Sequence, residues 1–255
     1  MRIIITALAA AATLTCLAAS SRADAQAEAN PVYIATTYYH CNNATVEQAD
    51  GAITKTYKPA LDSMITEKSV ASWGWLGHNT GGEWSRAGYW TGPSIQVVQA
   101  AAATLDRKVD VKGNKEHAKS EKAFNEACSS GEDYIWHVLA GNDARGHRGK
   151  EAFSVYYVCD LSRETQADAL MKRVFTPMYD KLVAEGKLTS WAWAEHIVGG
   201  KYRRLATMTA PTLDALMTVR ESIAAASEHD PLEDVFNSIC GSHADYIWDV
   251  KEQGP

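Results

Sequence analysis

Histidine, arginine and tryptophan recur in this chain at one spacing. His78 and His196, Arg86 and Arg204, Trp73 and Trp191, and Trp75 and Trp193 are each 118 residues apart. Imidazole titrates near neutrality, so His78 or His196 suits a general base or an axial metal ligand, or else a structural place beside a turn. A guanidinium at Arg86 or Arg204 suits a substrate carboxylate or a nearby Asp or Glu. Residues two apart on a strand share a face, so Trp73 with Trp75, and Trp191 with Trp193, form pairs that either stack an aromatic ligand or fill core. His40 and His137 are matched by Val158 and Asp249, so a site built on them would be single. There is no G-x-S-x-G elbow, no H-E-x-x-H helix, no G-x-G-x-x-G and no P-loop. No cofactor is expected.

The spacing extends well beyond these residues. Tyr38-Tyr39 maps to Tyr156-Tyr157, Cys41 to Cys159, Pro59 to Pro177, Asp62 to Asp180 and Gly81-Gly82 to Gly199-Gly200. Later the offset becomes 112, carrying Phe124-Asn125 to Phe236-Asn237, Cys128 to Cys240 and Asp133-Tyr134-Ile135-Trp136 to Asp245-Tyr246-Ile247-Trp248. The chain therefore reads as one unit present twice, over residues 30–140 and 151–251, with the glycine-rich polar stretch 141–150 as linker. The change of offset falls in the Lys-rich stretch 107–122.

Ahead of the first unit, Met1-Arg2, an apolar run and the A-x-A sites ending at Ala25 and Ala27 have the order of a secretory signal peptide over residues 1–27. A periplasmic or secreted location follows as an expectation. The chain is mildly acidic, with formal net charge −6, which argues against a nucleic-acid partner. No later run is long and apolar enough to suggest a membrane span.

Each unit has the same predicted elements. Strand compositions at 33–41 and 153–159 precede helical spacing at 45–67 and 162–185, where Pro59 and Pro177 should kink or restart the helix. Two strands across a Gly-Gly turn follow, at 70–78 with 84–91 and 188–198 with 202–209. Second helices are expected at 94–105 and 212–224, then short helices carrying Phe124 or Phe236, then last strands at 134–139 and 246–250. The order βαββαβ is ferredoxin-like. In it the last strand lies antiparallel beside the first, which brings the end of the first strand near the start of the fourth. Of the three pairings open to four cysteines, duplication and topology select Cys41 with Cys128 and Cys159 with Cys240, in keeping with an oxidising compartment.

A duplicated βαββαβ unit, with a Pro-interrupted first helix leading into a W-x-W strand and a Gly-Gly hairpin, resembles the dimeric α+β-barrel superfamily of antibiotic-biosynthesis-monooxygenase-like, EthD-like and stress-responsive proteins. The resemblance implies an α+β fold in which two sheets face one another with helices outside, both supplied here by one chain as a monomeric pseudo-dimer. Haem-binding relatives in that superfamily would make His196 an axial ligand. The expected function is binding of a small apolar or aromatic molecule between the two sheets, by Trp73, Trp75, Trp191, Trp193, Arg86 and Arg204. The alternatives are a cofactor-independent oxygenase or isomerase using His78 or His196, and a structural or protein-interaction module whose intersheet space is packed shut.

Overall fold

The computed structural model describes residues 31–110, 114–142, 148–228 and 230–254. The proposed signal segment 1–27 and linker residues 143–147 lie outside the described residues. Alternating polar and apolar residues rich in Tyr, Thr and Trp give eight strands: β1 (Tyr33–Cys41), β2 (Ser72–Gly81), β3 (Arg86–Gly92), β4 (Cys128–Gly141), β5 (Glu151–Val158), β6 (Ser190–Val198), β7 (Arg204–Ala210) and β8 (Ser242–Gly254). They close into an antiparallel barrel in the order β1-β3-β2-β8-β5-β7-β6-β4. Each half contributes four neighbouring strands, ordered β4-β1-β3-β2 and β8-β5-β7-β6. Two seams join the halves, β2 with β8 and β6 with β4, and closure leaves no bare edge. The last strands run well beyond the predicted 134–139 and 246–250, because each pairs on both sides, with its own half's first strand and with the other half's second. Hydrophobic alternation within one half carries no sign of a partner from the other.

Helices cover the outer face. In the first half they are α1 (Val46–Ala52), a π-helical turn (Ile53–Tyr57), α2 (Lys58–Thr66), α3 (Ile95–Val109) and α4 (Lys115–Ala127). The second half has α5 (Glu164–Leu170), a π-helical turn (Met171–Phe175), α6 (Thr176–Ala184), α7 (Leu213–Ser227) and α8 (Pro231–Cys240). The expected interruption at Pro59 and Pro177 takes the form of these π turns. Proline lacks an N–H and crowds the carbonyl four residues back, and one widened turn before it lets the helix continue. Ser94 and Thr212 cap α3 and α7 by accepting from Val97 N–H and Ala215 N–H. The stretch read as the place of the length change, 107–122, supplies the end of α3 and much of α4, which has 13 residues against 10 in α8.

The disulfides join Cys41 to Cys128 and Cys159 to Cys240, as expected. They fit an oxidising, extracellular type of environment. Among the described residues no helix is long and apolar enough to cross a membrane.

Candidate functional site

Alternation along β2 decides which way its aromatic pair points. Trp73 and Trp75 face the helices, and each indole N–H reaches an aspartate on the first helical stretch, Trp73 to Asp62 at 3.0 Å and Trp75 to Asp50 at 2.7 Å. Trp191 and Trp193 do the same with Asp180 and Asp168, both at 2.9 Å. The two arginines, each one strand over, close the arrangement. Arg86 grips Asp50 through Nε and Nη2, both at 2.8 Å, and Arg204 grips Asp168 at 2.7 Å on both nitrogens. Burial alone would raise the Asp50 carboxyl, but the hydrogen bonds from Arg86 and Trp75 outweigh it and hold the group below the usual carboxylate range. Arg86 and Arg204 are buried and engaged with Asp50 and Asp168, the pairing with a nearby acid that the sequence offered beside a substrate carboxylate. Each ties a strand to a helix.

The opposite faces of the strands meet in the barrel interior, where a ligand between the two sheets was expected. That space is filled by rings. Tyr38 stacks on Trp84 with centroids 3.9 Å apart, Trp84 on Tyr246 at 5.1 Å, Tyr134 on Trp136 at 4.8 Å and Tyr246 on Trp248 at 4.8 Å, with Tyr156 and Tyr202 edge-on or tilted between them. All are buried. The expected location of the ligand is thus corrected for the middle of the barrel, because large aromatics from both halves interdigitate there.

His78 and His196 end the second strands on this inner side. His78 donates from Nε2 to the Gly81 carbonyl at 2.7 Å, a turn-stabilising contact. His196 accepts at Nδ1 from Arg203 at 2.7 Å, so its neutral form carries the proton on Nε2, which is buried without a partner among the described residues. Burial, then the charge of Arg203, lowers its pKa, and neutral imidazole is the dominant form at neutral pH. Its ring lies edge-on to Tyr134 and Trp136 at 6.0 and 6.1 Å. A haem iron would need an open face at Nε2, and that atom is buried, so the residues present do not fit that group. Among the described residues no three His, Cys, Asp or Glu side chains gather as a metal site.

One layer out, the first half holds a cavity of about 260 Å³ between the outer face of β1, β3 and β2 and its helices. Its rings are Tyr39, Tyr57, Trp73, Trp75, Tyr89, Trp90 and Phe124, and Asp106 and Glu121 also line it. The π turn supplies Ile53 and Tyr57. At the matching positions of the second half the side chains are larger. Leu61 is matched by Tyr179, whose ring stacks on Trp191 at 5.1 Å. Gly88, where an added Cβ would meet Trp75 at 3.3 Å, is matched by Ala206. Ala102 is matched by Arg220, whose guanidinium lies 3.8 Å over Phe153. Sequence reasoning named Trp73 and Trp75 but missed Tyr39, Tyr57, Tyr89, Trp90 and Phe124. The signal lay in the positions where the halves differ, whereas the reading followed those where they agree.

Searches place the architecture. No protein-family model and no curated protein matches the chain. Solved structures do. A "putative monooxygenase" of Lactobacillus acidophilus NCFM superposes with TM-score 0.56 at 7% identity, over 89% of this chain and 96% of that one. An anthrone oxidase-like protein gives 0.51 at 12% identity, over 89% and 93%. A dye-decolorizing peroxidase from Bacteroides thetaiotaomicron VPI-5482 gives 0.53 at 8%, over 86% and 93%. At such identities the likeness is one of fold. The chain shares with them an α+β barrel fold, all eight strands of which come here from one chain.

Proposed function

We propose that this is an exported, monomeric binder of small aromatic or apolar molecules, built by duplication of a ferredoxin-like βαββαβ unit and working without a cofactor. The carrying observation is the ring-walled cavity of the first half, since concave, largely aromatic sites with a few polar groups are where small ligands bind. Three features support the wider reading: the paired offsets of 118 and then 112 residues for export-compatible cysteines and core residues alike, the identical strand order of the halves, and structural neighbours named for oxidative small-molecule chemistry. Fold alone carries no activity across. An oxygenase or isomerase is the second reading, favoured by the neutral, Arg203-held imidazole of His196. Neither principal cavity touches that ring, which ranks binding first.

The test follows the indole ¹⁵N–¹H signals of the full disulfide-bonded chain during titration with indole or a one-ring phenol. Saturable shifts of Trp73 and Trp75 are expected, and Leu61→Tyr with Gly88→Ala, which copies the filling of the second half, should abolish them without unfolding the protein. Shifts confined to Trp136 and to His196 ring signals would overturn the reading in favour of the barrel interior.

A further inference from the structure

The second half shows what its own version of this space contains, and it is a cation. Arg220 projects from α7 over the Phe153 ring at 3.8 Å, with Nη1 3.8 Å from Asp245. Its charge acts on both Tyr157 and Tyr179, which line the same region. Position for position, the first half keeps the acidic groups and the tyrosine and lacks both the cation and the ring beneath it. Asp245 is matched by Asp133, Glu233 by Glu121 and Tyr157 by Tyr39, while Arg220 becomes Ala102 and Phe153 becomes Ala35. The vacated volume is bounded by Tyr39, Tyr57 and Phe124 in mutual contact at 5.3 and 6.2 Å.

Two further observations set its electrostatics. The nearby basic side chains are engaged: Arg86 with Asp50 at 2.8 Å, Lys108 with Glu67 at 2.6 Å, Lys58 with Asp62 at 3.0 Å, and Arg148, 5.2 Å from the centroid of the cavity's Tyr89 ring, with the Tyr89 and Ser72 hydroxyls. Among the described residues Asp106, Glu121 and Asp133 have no Lys or Arg partner, and all three charges act on the cavity's phenols: burial first, then Glu121 and Asp106, raise Tyr57, and Asp133 contributes to a Tyr39 pushed up to about 12 mainly by burial. The indole N–H groups are also spent, Trp73 and Trp75 on aspartates and Trp90 on the Val98 carbonyl at 2.7 Å. What the three indoles offer a ligand is π surface, whose negative face attracts cations. Lys58, 5.4 Å from the Trp73 ring centroid, already uses one of them.

We infer that the first-half cavity takes an organic cation, a small aryl or alkyl ammonium whose charge stands where Arg220 stands in the second half. This rests on the cavity being the binding site, and it adds the charge of the ligand. Aromatic walls desolvate the onium group and its substituents, and the carboxylates at the mouth balance its charge.

The experiment compares two probes of one shape, benzyltrimethylammonium and neopentylbenzene, against the full chain with both disulfides intact, read by indole ¹⁵N–¹H shifts. The cation should bind about tenfold tighter than its neutral isostere. Glu121→Gln with Asp106→Asn should shrink that preference, and Ala102→Arg, which restores a tethered cation, should displace the probe. Equal affinity for the two probes overturns the charge inference and leaves the aromatic cavity standing. No shift of Trp73 or Trp75 with either probe overturns both. Undiminished cation binding by Ala102→Arg overturns the equivalence with Arg220.

Discussion

Trp75 donates its indole N–H to Asp50 at 2.7 Å, and that carboxylate simultaneously receives both arms of Arg86. Asp168 repeats the relation with Trp193 and Arg204. One carboxylate from the first helix thus holds two strands under it. Asp50→Ala would strand a buried guanidinium and an indole N–H, and breaking such a pair costs about 3–5 kcal/mol when it is fully enclosed. Because the Asp50 side chain is 24% exposed, roughly 2–4 kcal/mol is expected after that discount. Asp168→Ala should be the milder per charge lost, since Glu164 remains 3.4 Å from Arg204 as a second acceptor. Urea unfolding midpoints of the two variants check both the size and the order.

Trp84 sits in the hairpin before β3 and touches Tyr38, Tyr156, Tyr202 and Tyr246 from both halves. Its counterpart at the same offset is Tyr202, so the barrel centre is asymmetric in volume although the halves share a topology. Trp84→Ala removes the largest of these rings and should cost about 3–5 kcal/mol. Thermal unfolding measures the loss. Xenon or benzene uptake into the variant and not the wild type would show that the interior had been packed shut.

Each disulfide closes a long loop, with sequence separations of 87 and 81. Chain entropy then assigns each about 4 kcal/mol, an upper figure where the reduced chain retains structure. Replacing either cysteine pair by alanine should lower the melting temperature by similar amounts. A large difference between the two would mean that unfolded-state structure, and not loop length, governs the effect.

Acid should destabilise the fold through His196. Its folded pKa lies below the unfolded one, so the native state binds the proton less readily, and stability falls as pH drops through the ordinary histidine range and below. Asp50 acts lower on the scale, its contribution being lost as pH falls through its depressed folded pKa. Stability measured from pH 8 to 5 should decline in the wild type and decline less in His196→Gln. Parallel curves would remove His196 as the source.

Most of the architecture could be read from the sequence because it is written in local signals. The Gly-Gly hairpins, the Ser94 and Thr212 caps and the strand alternation each depend on a few neighbouring residues, and the cysteine pairs follow once β1 is set beside β4. The seams were not legible, since nothing in Trp73 or Ile135 announces a partner as far along the chain as Gly254 or Val198. The site was half legible. Period-two spacing put Trp73 and Trp75 on a common face and left open which layer that face met; Asp50 and Asp62, on helix positions 25 and 11 residues away, decide it. Arg86 looked like a ligand group because its partner Asp50 lies 36 residues earlier in sequence.

The seam between β2 and β8 also orders events in time. Trp73 finds its cross-strand neighbour in Gly254, and the whole outer edge of Ser72–Gly81 is paired only by the final thirteen-residue strand. Synthesis proceeds from the N-terminal side, so the outer edge of Ser72–Gly81 stays unpaired until Ser242–Gly254 has been made. A chain truncated before Ser242 would keep that edge and the Glu151–Val158 edge open, and open edges recruit strands from other molecules. The strand Ser242–Gly254 is therefore the latch of the barrel, and its loss should produce association between chains and not a smaller monomer.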